Sequence, residues 1–235
     1  MSSRTLRVKR LGRLEYGAAY DVQKETEVDV RDGRAPDTLL LVEHPHVLTI
    51  GRRATRGGQG GILASEEELA ERGVSVFETN RGGKMTYHGT GQLVGYPIIN
   101  LSPEREDVHK YVRDLEEVLI RTVADFGVRA FRIEGLTGVH TERGKVAAIG
   151  VHIARWVTTH GFALNVNTDL SFFNLIIACE GEPVTSLQDL SGREIPLGEV
   201  EEHVVARFCE VFGMTLEEAS EVRAGLVGVA PSPSA

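Results

Sequence analysis

Lys145-Val-Ala-Ala-Ile-Gly-Val-His-Ile-Ala-Arg-Trp-Val-Thr-Thr-His-Gly-Phe-Ala-Leu-Asn-Val166 is the stretch that decides the fold. It holds two strand-length runs, 145–155 and 158–166, rich in Val, Ile, Thr and Phe. A tight turn near Trp156-Val-Thr158 joins them. Strands joined so briefly are antiparallel, because a parallel pair needs a crossover of a dozen or more residues. Along the first run the odd positions Lys145, Ala147, Ile149, Val151 and Ile153 are expected to share one face. A lysine heading an apolar face would be desolvated, which lowers its pKa and suits it to proton transfer. A lysine at the mouth of the strand would instead reach solvent, and spacing alone leaves both readings open.

Working upstream, a further strand is expected over 128–133. Before it, Val108, Tyr111, Val112, Leu115, Val118, Leu119, Val123 and Phe126 mark one face of a long helix that Gly127 stops. Ser102-Pro103 reads as its start, with Pro at the first helical position. Gln92 to Leu101 and Val74 to Phe77 read as strands, and Ser65 with Glu68 caps a short helix ended by Gly73. Arg56 to Gly61 reads as a glycine-rich loop. Thr38 to His44 is an apolar strand stopped by Pro45, which Val47 to Ile50 continues. Residues 13–32 carry a weaker helical pattern closed by Gly33. Downstream, Val200, Val204, Phe208, Val211 and Phe212 define a second amphipathic helix, with Cys209 beside Phe208 as a packing residue. Strands, helices and hairpin-length connections together predict an α+β fold: a mixed, largely antiparallel sheet flanked by helices.

At 235 residues the chain can bury a substantial core, and the expectation is one domain over 1–222 followed by a disordered tail over 223–235. No apolar run approaches the roughly 20 residues that span a bilayer, and no secretory leader is evident. Two cysteines, Cys179 and Cys209, make no disulfide framework, so a reduced, cytoplasmic setting is expected. No Cys or His cluster has zinc spacing, and no metal or cofactor is expected. A net charge of −8 argues against nucleic acid as partner. Charge is uneven, however. Arg4, Arg7, Lys9, Arg10 and Arg13 crowd the N-terminus, Arg52, Arg53 and Arg56 form a second basic knot, and acids dominate Glu194 to Glu221. The basic knots could dock an acidic protein.

Two other segments carry chemistry. A lone cysteine is more often a small buried hydrophobe than a nucleophile. Cys179, in Ile177-Ala-Cys-Glu-Gly181, changes weight if Lys145 holds it as thiolate, because the thiolate is the nucleophile and a nearby cation lowers its pKa. Arg81-Gly-Gly-Lys-Met-Thr-Tyr-His-Gly-Thr-Gly-Gln92 supplies a fixed cation, side-chain donors and glycines that let backbone approach a ligand. It lacks both the Walker ending and the dinucleotide glycine spacing. A purely structural glycine-rich turn would look the same.

The order of these segments, followed by His160-Gly-Phe-Ala-Leu-Asn165 and by a cysteine before Thr185-Ser-Leu187, resembles the octanoyltransferases of lipoate biosynthesis. Glu43-His-Pro45 with Thr49-Ile-Gly-Arg52 resembles that family's early segment, and the likeness runs from about residue 11 to residue 212. The resemblance implies the fold of biotin and lipoate protein ligases. It implies an acyltransferase that moves octanoyl from octanoyl-acyl carrier protein, through a Cys thioester, to a lysine on lipoyl domains. The implied acceptors are the lipoyl domains of 2-oxoacid dehydrogenase complexes and the glycine cleavage H protein, with no membrane or nucleic-acid partner. By position, Cys179 would carry the acyl group and Lys145 would lower its pKa. The acyl-binding surface would map to Arg81, Gly82, Gly83, Thr86, Tyr87 and His88, then Ala148, Ile149 and Gly150, then Gly161, Phe162 and Ala163.

The chemistry is consistent: a thioester donor and a thiol exchange acyl groups at little net cost, and the Ala148 to Gly150 backbone offers donors to an oxyanion. His88 stands as the other candidate base for Cys179. Three departures from the family pattern stand out: Thr90 in place of Pro, Ala178-Cys179-Glu180 in place of Pro-Cys-Gly, and Thr137-Gly-Val-His140 in place of Pro-Gly-Val-aromatic. Glu180 would disfavour the thiolate if it pointed inward. The competing readings are an ATP-dependent lipoate or biotin protein ligase, a non-catalytic partner-binding domain, and a Cys-His hydrolase using His88.

Overall fold

The structure, a computed structural model, describes residues 4–57, 61–177 and 182–217, with backbone alone for 55–57. Strand β1 (Arg4–Arg13) leads through helix α1 (Tyr16–Arg31) into β2 (Asp37–Glu43). Leu39 and Leu41 of β2 enter one core while Leu40 and Val42 enter another, so the apolar run is continuous because both faces are buried. β2 pairs in parallel with β1 and antiparallel with β6 (Gln92–Ile98). From β6 the sheet continues antiparallel through β9 (Val157–Asn165), β8 (Gly144–Ala154) and β7 (Val139–Thr141). β10 (Met214–Leu216) adds the opposite edge, parallel to β1. The result is a seven-stranded mixed sheet in the order β10-β1-β2-β6-β9-β8-β7.

The hairpin read from the sequence forms, with Ala154 opposite Val157 and Arg155 and Trp156 as its two loop residues. Both have positive φ, 51° and 62°, as a type I′ turn requires. At the other end of β8 the expected alternation fails. His140 pairs with Lys145 and Val139 with Ala147, a bulge that inserts Val146. Val146 and Ala147 therefore both enter the core, and Lys145 does not head their face.

Helices α4 (Val108–Asp125) and α6 (Leu197–Phe212) cover one face of the large sheet. Leu115, Leu119, Val204 and Phe208 are fully buried there against Leu39, Leu93 and Leu164. Each such side chain contributes about 1.5–3 kcal/mol on burial. Helix α1 covers the other face through Tyr16, Ala19 and Val30. Val47–Ile50 does not extend β2. It is β3, the centre of a second, three-stranded sheet between β4 (Ser75–Glu78) and β5 (Met85–His88). Arg52–Gly57 is the short helix α2, so Arg56 and Gly57 are not in the glycine-rich loop expected from position 56. Helix α3 (Glu66–Glu71) starts as expected, with Ser65 accepting from the Glu68 N–H.

Three other expectations need correction. Helix α4 begins at Val108 and not at Pro103; Asp107 caps it by accepting from the Lys110 N–H, while Ser102–Pro103 is a cis peptide in the preceding turn. Residues 128–133 make no strand; only Phe131 bridges, to His140, because Arg132 is drawn to Glu116 and Glu117 of α4. The N-terminal arginines are engaged within the fold: Arg4 with Asp37, Arg7 with Glu217, Arg10 with Glu201 and Glu202. Folding β1 beside α6 and β10 joins the basic and acidic ends of the sequence. The tail expected from 223 lies outside the described residues.

Candidate active site

Between the two sheets lies a cavity of about 340 Å³, open on one side. Its floor is the middle of β8 and β9, with Ala148, Ile149, Gly150, Gly161, Phe162 and Ala163; its roof is the 81–86 segment leading into β5. Gly82 N donates to Val151 O (2.9 Å), which fastens the roof to the floor. Glycine at 150 eases that approach. A Cβ there would stand 3.0 Å from Gly82 O and 3.2 Å from Arg81 Cδ.

Arg81 is 6% exposed and donates to Thr49 Oγ1 (2.8 Å), Thr49 O (2.7 Å) and Gly82 O (3.0 Å). Its planar fork ties the roof to β3 and leaves a fixed positive charge on the wall. Period-2 alternation along β5 then turns Thr86 and His88 to the cavity. Tyr87 faces the opposite way: it is fully buried, bonds His46 Nδ1 at 2.7 Å and stacks on Phe172. Of the residues anticipated for acyl binding, Tyr87 is the one the structure does not bring to the cavity wall.

One end of the cavity is lined by Tyr16, Tyr96, His88 and His160. His44, behind them, donates from Nδ1 to Leu14 O and receives the Tyr96 hydroxyl at Nε2; burial pushes its pKa down to about 4. Burial, with the charge of Arg81 next, pushes His160 down to about 3. His88 is held well below the usual histidine range, by burial first and then by His44. Gln92 Nε2 donates to Tyr87 O and Asn165 Oδ1, so Gln92 Oε1 must accept from His88 Nδ1 (2.7 Å). That assigns the proton of a neutral His88 to Nδ1. Burial lifts Tyr16 to about 12. The histidines and tyrosines of this end are therefore neutral near pH 7.

Lys145 lies at the other end, five residues along β8 from Gly150, roughly 15 Å away at about 3.3 Å per residue. It is 7% exposed, so it does not reach solvent as a lysine at the strand's mouth would, although the bulge keeps it from heading the apolar face. Its Nζ lies 3.8 Å from Glu182 Oε2, and the same oxygen lies 3.4 Å from His140 Nε2. Gly138, at φ 126°, makes room for it: a Cβ would sit 2.5 Å from Lys145 Cε. The Lys145 backbone is bound on both sides to the segment after the cysteine, by Lys145 N to Pro183 O and Thr185 N to Lys145 O. Asn165 Nδ2 donates to Thr185 O (3.0 Å), extending the Gln92 network to that segment. Cys179 itself, with Ala178, Glu180 and Gly181, lies outside the described residues.

Glu182, Tyr16, Tyr96, His160 and Arg53 line the cavity without having been singled out as site residues. His160 had a signal, since it opens the quoted His-Gly-Phe-Ala-Leu-Asn segment, and its positive φ of 57° marks it further. Tyr16 and Glu182 had none. Cys209 is half-buried on α6 against the larger core, and burial pushes its thiol up, away from reactivity. Among the described residues no group of His, Cys, Asp and Glu is arranged to hold a metal ion, and no helix is long and apolar enough to cross a membrane.

Comparison with known proteins identifies the family and the fold. The family model of the lipoyl protein ligase A/B catalytic domain matches residues 15–209. An octanoyltransferase of Solibacter usitatus is 48% identical over 206 residues, covering 87% of this chain and 92% of the relative. One of Geobacter metallireducens is 47% identical over 206 residues, covering 86% and 91%. Among solved structures, the bi-partite lipoate protein ligase of Thermoplasma acidophilum, analysed together with its E2 lipoyl domain, superposes with a TM-score of 0.71 at 16% identity. That match covers 93% of this chain and 87% of the other and establishes the lipoate ligase fold. With the family model spanning β2 through β9, and relatives this similar over most of the chain, the chain belongs to the octanoyltransferases of the lipoyl protein ligase A/B catalytic domain family.

Proposed function

We propose that this chain transfers an octanoyl group from acyl carrier protein to a lysine of a lipoyl domain, through a thioester on Cys179. The observation that carries this reading is the placement of Lys145. It is a buried cation at one end of an acyl-sized cavity, hydrogen-bonded through its backbone to the residues that follow Cys179. Cys179 is three residues before Glu182, and three residues of chain reach at most about 11 Å. Glu182 is itself an ion-pair partner of Lys145.

In this mechanism the Lys145 ammonium holds the Cys179 thiolate as an ion pair. The thiolate attacks the donor carbonyl, and the oxyanion is met by backbone donors of β8. Val151 O points to the roof, and Ile149, two residues along the strand, turns its N–H to the same side. The leaving carrier thiolate takes the proton of Lys145. The acyl chain lies along the glycine-rich floor toward the tyrosine and histidine end, whose rings are neutral and need not give up a charge to be covered by it. His88 is less suited than Lys145 to pair with the thiolate, because burial and its neighbours hold it neutral. Arg52 and Arg53 are exposed, and Arg53 lines the opening, so α2 supplies a basic surface beside the cavity for the acidic donor. The lipoyl domain as acceptor draws support from the family and from the Thermoplasma ligase analysed with its own lipoyl domain.

Incubation with octanoyl-acyl carrier protein, without ATP, should add one octanoyl mass to the protein, removable by hydroxylamine and passed on to an added lipoyl domain. A Cys179→Ala protein that still acquired the mass, or an adduct formed only from free octanoate and ATP, would overturn the proposal.

A further inference from the structure

The stoichiometry of this transfer raises a question that the pair of Cys179 and Lys145 does not answer. The acceptor amine enters as an ammonium, since lysine titrates near 10.4, and leaves as an amide. It therefore gives up two protons as the C–N bond forms and the C–S bond breaks, with the electron pair of that bond returning to sulfur. After the first half-reaction Lys145 is neutral, so it accepts one of the two and is restored as the ammonium partner of the thiolate. The other proton needs an acceptor.

We propose that Glu182 is that acceptor, acting through Lys145 as the exit by which the second proton leaves the site. The inference rests on the role proposed for Lys145. Glu182 Oε2 stands 3.8 Å from Lys145 Nζ, and its side chain is 21% exposed, against 8% for Lys145. The carboxylate thus touches the buried lysine on one side and water on the other, which a relay to solvent requires. His140 Nε2 approaches the same oxygen at 3.4 Å. Burial first, and the charge of Lys145 next, hold His140 below the usual histidine range. As a neutral ring it has one proton, which faces the carboxylate, and its buried Nδ1 has no hydrogen-bond partner among the described residues. His140 therefore orients Glu182 without competing with Lys145 as a cation. Among the described residues the remaining charge near His140 is Glu116 of α4, and Arg113, Arg132 and the Gly138 N–H already bind it.

The relay predicts a split between the two half-reactions. Glu182→Gln keeps the shape of the side chain and removes its ability to take a proton. Formation of the acyl-enzyme from octanoyl-acyl carrier protein, which releases no net proton, should slow far less than transfer from pre-formed acyl-enzyme to a lipoyl domain. Transfer should fall on the order of 10-fold near neutral pH. The deficit should shrink as pH rises and solvent bases take the proton, and Glu182→Asp should recover part of the loss. Equal slowing of both steps, an unchanged transfer step, or a deficit that does not vary with pH would each overturn the relay. Failure of the underlying reading would look different: the unaltered protein would form no acyl-enzyme at all.

Discussion

Arg81 and Lys145 are both buried cations on the wall of one cavity, but Arg81 spends its guanidinium on Thr49 and Gly82 whereas Lys145 faces a carboxylate at 3.8 Å. Arg81 ties the roof of the cavity to β3 and cannot lose its proton. Lys145 is a point charge on a flexible stem, with a titratable partner that is part-exposed to water. The surroundings follow the same division. Around Arg81 the titratable neighbours are histidines pushed to the neutral form, while Lys145 faces the part-exposed carboxylate group of Glu182 beside a His140 that is also held low. In the proposed mechanism one cation serves architecture and the other serves proton chemistry.

Exchanging the two chemistries tests this contrast most severely. Lys145→Arg preserves the charge and removes the capacity to give up a proton. Octanoyl transfer should fall by on the order of 10²-fold or more, while iodoacetamide still alkylates Cys179 at low pH because a cation remains. Full transfer in this variant would show that only the charge at 145 matters. The reciprocal change, Arg81→Lys, leaves Thr49 O or Gly82 O without its charged donor. It should lower unfolding free energy by about 3 kcal/mol, measured by urea denaturation. A loss of transfer with no loss of stability would mean that Arg81 acts on the substrate and not on the scaffold.

The smallest effect concerns the neutral end. His160 has a pKa of about 3 in the fold against 6.5 when unfolded. Between those values the unfolded chain binds a proton that the folded chain refuses, so stability is full above about pH 6.5 and declines as pH falls toward about 3. His160→Asn suits the positive φ at this position. It should show a shallower fall in urea midpoint between about pH 7 and pH 5 than the unaltered protein. An equal slope in both would assign the effect to His44 and His88.

Legibility followed the range of the interactions involved. The β8–β9 hairpin was readable because its turn and its pattern lie within one stretch of chain. Helix α4 was readable because a stripe of Tyr111, Leu115, Leu119 and Val123 is a local property; its true cap at Asp107 competed with the Pro103 signal just upstream. Glu116, fully buried on that same helix, was not readable, since its partners Arg132 and Gly138 come from a later loop. Tyr87 belongs to the same polar and glycine segment as Thr86 and His88, and only the pleat of β5 turned it from the cavity. Val47–Ile50 looked like more of β2 because Pro45 marks a stop but does not say which sheet the next strand joins.

Read alone, the residues determined the α+β class, the strands of the hairpin, the glycine-rich segment that became the roof, and the singling out of Cys179 and Lys145. The first three rest on pattern, propensity or spacing, which act between neighbours in the chain, whereas the roles expected of Cys179 and Lys145 came from the resemblance to octanoyltransferases. Tertiary structure decided that Lys145 is buried, that Glu182 and His140 share its surroundings, and that the histidines opposite are neutral. Those outcomes depend on desolvation and on distances between residues far apart in sequence, quantities that do not exist until the two sheets close on each other.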